Sequence, residues 1–166
     1  CDEIDNDCDG TTDEAVRTAC GDCNASCTTT RWGDGEPIAD PDADVDGVGL
    51  DDNGDLVLDV ADPSGSYATS FTGCAGETTW LRVEWESTVP SDAALTLTVR
   101  AGEDEATLDA EPAYGPHDTS PVDLEEVAPN PSTFLHLTFD FSASSDGQSP
   151  VLHGFQTTWE CEGDID

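Results

Sequence analysis

The residues best suited to chemistry form an acidic run near the start of the chain, with an aspartate at every second position and a glycine after the third. Alternate carboxylates can converge on one hard cation, and calcium takes six to eight oxygen ligands. The glycine, Gly10, permits the sharp turn that such a loop needs. The ligands that this spacing predicts are Asp5, Asp7, Asp9, the backbone carbonyl of Thr11, Asp13 and Glu14.

This loop differs from that of a helix–loop–helix calcium sensor. Its twelfth position is Val16, which has no side-chain oxygen, whereas a sensor loop has a bidentate glutamate there. No amphipathic helix is predicted on either side. We therefore predict a structural calcium site that does not act as a switch.

The same segment resembles the metal-binding motif of secreted bacterial proteins that is named after MopE. It shares the run Ile4-Asp-Asn-Asp-Cys-Asp-Gly10, the preceding Cys1 and the closing Asp13-Glu14, and it departs at Glu3, where glycine is usual. The resemblance implies an exported surface module that binds a metal. Although the family's name is linked to copper, the loop has no histidine or methionine, and ligation by oxygen alone favours calcium.

A second acidic alternation precedes Gly47 and predicts another calcium site. Leu50 and Asn53 occupy its later ligand positions, so the alternative is a flexible acidic linker. The predicted ligands of this second site are Asp42, Asp44 and Asp46.

Seven cysteines in a chain without lysine or methionine indicate an oxidising, extracellular compartment. There, disulfides are favoured over the zinc site that a Cys-x2-Cys-x3-Cys spacing also suggests. Because seven is odd, one thiol is free or bound to another molecule if the other six pair within the chain. Connectivity stays open, with Cys1–Cys8 and Cys74–Cys161 among the possible pairs. The disulfide candidates are Cys1, Cys8, Cys20, Cys23, Cys27, Cys74 and Cys161.

The chain carries 38 acidic residues and only four basic ones, which gives a formal net charge of -34. Such a charge repels itself and destabilises a compact state unless cations or high salt compensate it. A solvated surface adapted to saline surroundings is the alternative for the scattered carboxylates. The charge argues against nucleic acid and anionic membranes as partners. No apolar run is long enough for membrane insertion, and the absence of a visible signal peptide suggests a mature or excised form.

Apolar and polar residues alternate at 81–85, 95–99, 135–141 and 151–159, which predicts half-buried antiparallel strands. Asn53-Gly54 predicts a hairpin with a type I′ turn, which needs positive φ twice. We predict an all-β fold, an antiparallel, jelly-roll-like β-sandwich that follows a Cys/Asp-rich calcium-binding segment without its own core.

The predicted organisation is a Cys-rich calcium-binding segment at 1–30, an acidic loop and hairpin linker at 31–55, the sandwich at 56–161 and a tail at 162–166. The sequence from Cys161 to Asp166 echoes that from Cys1 to Asp5. This echo suggests a head-to-tail contact between copies. Coincidence in an Asp-rich chain is the alternative.

No segment has the spacing of a catalytic site: the three histidines are far apart, and no Gly-x-Ser-x-Gly motif occurs. We predict a non-enzymatic, calcium-stabilised structural or adhesive protein of the cell surface. One version of this prediction is a repeating subunit of an extracellular filament. Its expected partners are itself, other surface proteins or glycans. The alternative is a carbohydrate-binding module, in which Trp32, Trp80 or Tyr114 would stack on a sugar.

Overall fold

The computed structural model describes residues 26–32, 43–59, 62–74 and 77–162. In these residues the chain forms two antiparallel sheets, and the prediction of an all-β sandwich is confirmed. Sheet A consists of β1 (Ser26–Trp32), β3 (Val48–Leu50), β4 (Leu56–Leu58), β6 (Glu77–Thr88), β9 (Val122–Asp123) and β11 (Val151–Glu162). Sheet B consists of β2 (Asp44–Asp46), β5 (Ser64–Thr72), β7 (Ala94–Gly102), β8 (Tyr114–His117) and β10 (Phe134–Ser142).

The chain passes several times from one sheet to the other. Sheet A has the order β3-β4-β11-β6-β9, and β1 pairs with the same edge of β11 as β4, further along the strand. Sheet B has the order β2-β5-β10-β7-β8. The connections β5–β6, β6–β7 and β10–β11 each pass from one sheet to the other, as in a jelly-roll-like sandwich. A 3-10 helix (Glu105–Ala110) and a short helix α1 (Leu124–Val127) lie in the remaining connections.

The inward faces of the two sheets form one apolar core that is rich in aromatic rings. Phe139 of sheet B and Phe155 of sheet A are fully buried, with ring centroids 5.1 Å apart. Tyr67 and Trp85 approach these rings edge to face. Full burial of a phenylalanine side chain contributes about 1.5–3 kcal/mol, so this contact between the sheets is a main source of cohesion.

Strand β6 contains a bulge at Leu81. Arg82 pairs with Thr158 and Trp80 pairs with Trp159, so Leu81 has no partner of its own and the alternation of faces shifts by one residue. Trp80 is therefore fully buried, whereas Leu81 is half-buried. The prediction that placed Leu81 on the apolar face and Trp80 off it was wrong for this reason.

Strand β11 contains a second bulge, at His153. Leu152 pairs with Ser87 and Gly154 pairs with Glu86, which leaves His153 as the extra residue. Leu152 is fully buried and Val151 is not, so the predicted single alternation over 151–159 was wrong at its start. From residue 155 onward, the predicted inward positions are buried.

The predicted hairpin is formed by β3 and β4, but with a different turn. Leu50 pairs with Leu56, and the Gly54 N–H donates to the Asp51 carbonyl at 3.1 Å. Gly54 has φ +88, while Asn53 is not in the left-handed region, so the predicted type I′ turn was wrong. The Asp51 carboxylate accepts the N–H groups of Asn53 and Asp55, which supports the observed turn.

The sheets include strands that precede residue 56. Strand β1 lies mainly within the segment predicted as Cys-rich, and β2 and β3 lie within the predicted acidic linker. The predicted boundary at residue 56 thus falls between two strands of one hairpin. Over the described ranges, the chain forms no helix that is both long and apolar enough to cross a membrane.

Candidate functional site

The first predicted calcium loop cannot be placed, because its residues lie outside the part of the chain that the structure describes. The same holds for Asp42 of the second loop. Calcium binding by the first loop therefore stays a prediction. The ligands concerned are Asp5, Asp7, Asp9, Thr11, Asp13 and Glu14.

Asp44 and Asp46 of the second predicted loop lie on β2, at an edge of sheet B, and both are exposed. Their side chains lie on the same face, as every second residue of a strand does. Two carboxylates fall short of the six to eight oxygens that calcium requires. Within residues 43–59, 62–74 and 77–162, no three histidine, cysteine or acidic side chains are grouped to hold a metal ion. A site here would depend on Asp42 and stays a prediction.

Gly47, which the sequence assigns to the second calcium loop, has a structural role of its own. The chain passes at Gly47 from β2 in sheet B to β3 in sheet A, with φ +64. A Cβ atom there would lie 2.9 Å from the Ser64 carbonyl oxygen, and one on Gly65 would lie 2.6 Å from the Asp46 carbonyl oxygen. The glycine after the acidic run is thus needed for the corner between the sheets, with or without a metal.

Three polar side chains meet on the outer side of sheet A. The Nδ1 atom of His153 lies 2.9 Å from Oδ2 of Asp55, and its Nε2 atom lies 2.8 Å from Oγ1 of Thr88. Asp55 directly precedes β4, His153 is the bulge residue of β11, and Thr88 ends β6. The bulge turns the imidazole towards both neighbours. We call Asp55, His153 and Thr88 the sheet A relay.

The order of groups in the sheet A relay is that of a carboxylate that orients an imidazole, which in turn faces a hydroxyl. Because a carboxylate only accepts, Nδ1 carries a proton, and in the neutral imidazole Nε2 would accept from the Thr88 hydroxyl. Acyl transfer would additionally require N–H donors around a developing oxyanion. The contacts themselves tie the β3–β4 hairpin to β6 across β11.

A second polar row crosses the outer face of sheet B. Ser70, His136 and Arg100 lie side by side on β5, β10 and β7, with Ser70 Oγ 2.9 Å from His136 Nδ1. Burial lowers the pKa of His136, Asp109 and Asp44 oppose this effect, and Arg100 adds to it. The row therefore favours a neutral imidazole.

Carboxylates on the described surface have few cationic partners. Among the described residues, Arg82 forms an ion pair with Glu84, at 3.5 Å, and His153 forms one with Asp55 only when its imidazole is protonated. The Arg82–Glu84 pair is largely exposed, and such pairs contribute little to stability. The remaining carboxylates of the described surface therefore repel one another.

The tryptophans do not form a sugar-stacking surface where the structure describes their side chains. Trp80, Trp85 and Trp159 are all buried, and Trp80 Nε1 donates to the Ser132 carbonyl at 2.8 Å. The alternative in which Trp80 stacks on a sugar is therefore wrong, because the bulge at Leu81 turns this ring inward. Tyr114 is half-buried and packs against the core. The side chain of Trp32 lies outside the described set.

Thr78 contacts one predicted cysteine and is the strand partner of another. Cys74 is buried just after β5, and its N–H donates to Thr78 Oγ1 at 2.8 Å. Thr78 on β6 is the register partner of Cys161 on β11. Cys27 lies in β1, and four further candidates lie outside the described residues: Cys1, Cys8, Cys20 and Cys23.

Sequence reasoning missed the sheet A relay and the row on sheet B. His153 is 98 residues from Asp55 and 65 from Thr88, so no local spacing links them. The available signal was His153 itself, a polar residue placed within an alternation that was predicted to be apolar. A polar residue at such a position indicates either a bulge or a buried contact.

No family model matches the chain, and no curated protein matches it. Among solved structures, the chain is similar to a family two carbohydrate esterase from Cellvibrio japonicus, with a TM-score of 0.42 and 14% sequence identity. That alignment covers 86% of this chain and 37% of the esterase chain, so this chain spans well under half of the esterase's length.

Proposed function

We propose that the chain is a non-enzymatic structural or adhesive module of an extracellular protein, stabilised by calcium and by disulfides. The observation that supports this most is the contrast between a closed apolar core and a surface with hardly any cation for its many carboxylates. Such a body is most stable where divalent cations or salt are abundant, which is the condition outside a cell.

Calcium enters this proposal through the N-terminal acidic loop and not through the sandwich. The loop has alternating acids around Gly10 and offers enough oxygens for one ion. Asp44 and Asp46 would join a second ion only together with Asp42. Calcium would thus lower the charge of the segment that precedes the sheets.

A cross-link between Cys74 and Cys161 belongs to the same proposal. Cys74 is buried, its N–H donates to Thr78 Oγ1, and Thr78 is the register partner of Cys161. This disulfide would join the end of β5 in sheet B to the end of β11 in sheet A. Peptide mapping without reduction tests it, and a mapped free Cys74 would contradict it.

Thermal unfolding tests the calcium proposal. We expect calcium to raise the melting temperature above that in magnesium at equal ionic strength, and a chelator to reverse the effect. Asp5→Asn/Asp7→Asn should abolish the difference between the two ions. Asp62→Asn/Asp118→Asn is the matched control, because it removes two exposed carboxylates from loops outside the predicted sites.

Two outcomes would count against the proposal. Equal melting temperatures in calcium, magnesium and sodium at one ionic strength would leave only general screening of charge. Equal loss of the calcium effect in both double variants would mean that calcium only screens the overall negative charge and does not bind at a defined site.

A further inference from the structure

Most edges of the two sheets are short or interrupted. Strands β2 and β3 have three residues each, β9 has two, and β8 has four with Pro116 among them. Asp44, Asp46 and Asp123 add charge to these edges. Short strands, proline and charge are the usual means of preventing a sheet edge from pairing with another chain.

The long strand β6 is protected differently, since β9 pairs with only part of it. The Asn130 side chain bonds both the N–H and the carbonyl of Trp80, at 2.9 and 3.1 Å. The Trp85 N–H donates to Ser120 Oγ at 2.8 Å. Side chains from loops thus occupy the edge that β9 leaves open.

Strand β1 has none of these protective features. It pairs with β11 without a register shift, from Ser26 opposite Glu160 to Trp32 opposite Gly154. On its other side, no described strand pairs with it. Its sequence, Ser-Cys-Thr-Thr-Thr-Arg-Trp, contains no proline, glycine or acidic residue, and its threonines favour extended backbone. With seven residues, it is the longest strand at a sheet edge in the described ranges.

We propose that β1 is a homodimer interface, at which it pairs antiparallel with β1 of a second copy and joins the two A sheets into one. A second copy fits because β1 is a strand without carboxylates on a chain of net charge -34. At the edges formed by β2 and β9, two copies would bring carboxylates together.

An antiparallel pair centred on Thr29 satisfies two-fold symmetry. Thr28 of one copy would then lie opposite Thr30 of the other, and cross-strand threonine pairs are favourable. The pairing uses no metal ion. It therefore stands or falls independently of the calcium proposal.

Molecular mass in solution, measured by light scattering and sedimentation in moderate salt, tests the dimer. We expect wild type to have twice the mass of a monomer and Thr28→Glu/Thr30→Glu to have the monomer mass. These positions pair with Thr158 and Gln156, whose own side chains are half-exposed. The control is Ser91→Glu/Thr119→Glu, at two exposed loop positions outside β1, which adds the same charge and should remain dimeric.

Amide hydrogen exchange gives a second measurement that does not depend on a variant's folding. We expect protection of residues 26–32 in wild type to rise with protein concentration. A protein that is monomeric at all concentrations would overturn the proposal. If residues 26–32 were strongly protected in that monomer, the outer edge of β1 would be paired with another segment of the same chain. Loss of the dimer in both double variants would overturn it too, because general repulsion would then be sufficient.

Discussion

The Nδ1 atom of His153 lies 2.9 Å from Oδ2 of Asp55, although the two residues are 98 positions apart in the chain. The contact joins the turn of the β3–β4 hairpin to the bulge of β11. The side chain of His153 is 35% exposed and that of Asp55 is 13% exposed, so water screens the pair only partly. Because Thr88 binds the other ring nitrogen, the imidazole connects the ends of three adjacent strands.

We predict that His153→Ala destabilises the fold by about 1–2 kcal/mol, because it breaks two hydrogen bonds and leaves the Asp55 carboxylate without its partner. For a chain of this size, that lowers the melting temperature by roughly 2–8 °C. Thr88→Val should lower it less, since only one neutral bond is lost. Thr98→Val on the outer face of sheet B is the matched control and should change little.

An ester hydrolysis assay separates a structural role of the sheet A relay from a catalytic one. With 4-nitrophenyl acetate as the probe, we expect wild type to hydrolyse no faster than His153→Ala. Hydrolysis that disappears in both His153→Ala and Thr88→Val would show that Thr88 acts as a nucleophile, and would contradict the proposal of a non-enzymatic module.

We predict that the corner between the sheets tolerates no side chain. Gly65→Ala would place a Cβ atom 2.6 Å from a backbone oxygen, so backbone must move and the free energy of unfolding should fall by several kcal/mol. Gly54→Ala is the control, because its Cβ would meet nothing within 4 Å and only its positive φ is unfavourable. That change should cost about 1–2 kcal/mol. Urea unfolding measures both, and equal losses would contradict a steric role for Gly65.

Alternation of apolar residues was sufficient to predict the sandwich, because inward positions of sheet B follow it without a break. Leu135, Leu137, Phe139 and Phe141 are all buried, as predicted. The hairpin β3–β4 could be predicted equally well, since Asn53-Gly54 marks its turn.

The positions of the polar groups could not be predicted, because they depend on bulges. One extra residue at Leu81 reverses which tryptophan faces the core, and one at His153 turns an imidazole towards Asp55 and Thr88. A bulge results from the fit between paired strands, so the alternation within one strand does not contain it. The structural role of Gly47 could not be predicted from the acidic spacing before it, since this glycine is needed by the corner between the sheets.

We predict that His136 makes the fold less stable in mildly acidic solution. Because burial lowers its pKa in the folded state, the unfolded state binds the proton more readily. The contribution of the neutral imidazole to stability is complete above the ordinary histidine pKa of 6.5. It declines as the pH falls from there towards the lowered pKa of His136. His136→Gln should therefore show less loss of melting temperature than wild type between neutral and mildly acidic pH. Identical curves for wild type and His136→Gln would contradict the prediction.

Asp140 should have the opposite dependence on pH. It lies between Ser66 and Thr96 on sheet B, and burial raises the pKa of its carboxyl above the ordinary 3.8. The folded state thus binds the proton more readily, and the contribution of Asp140 to stability is lost as pH rises from 3.8 through the raised pKa. Asp140→Asn should consequently unfold at a slightly higher temperature than wild type at neutral pH, with the advantage vanishing in acid. Asp118→Asn, in an exposed loop, is the control for the loss of one charge. An equal gain in both variants would mean that relief of general repulsion, and not burial of Asp140, is responsible.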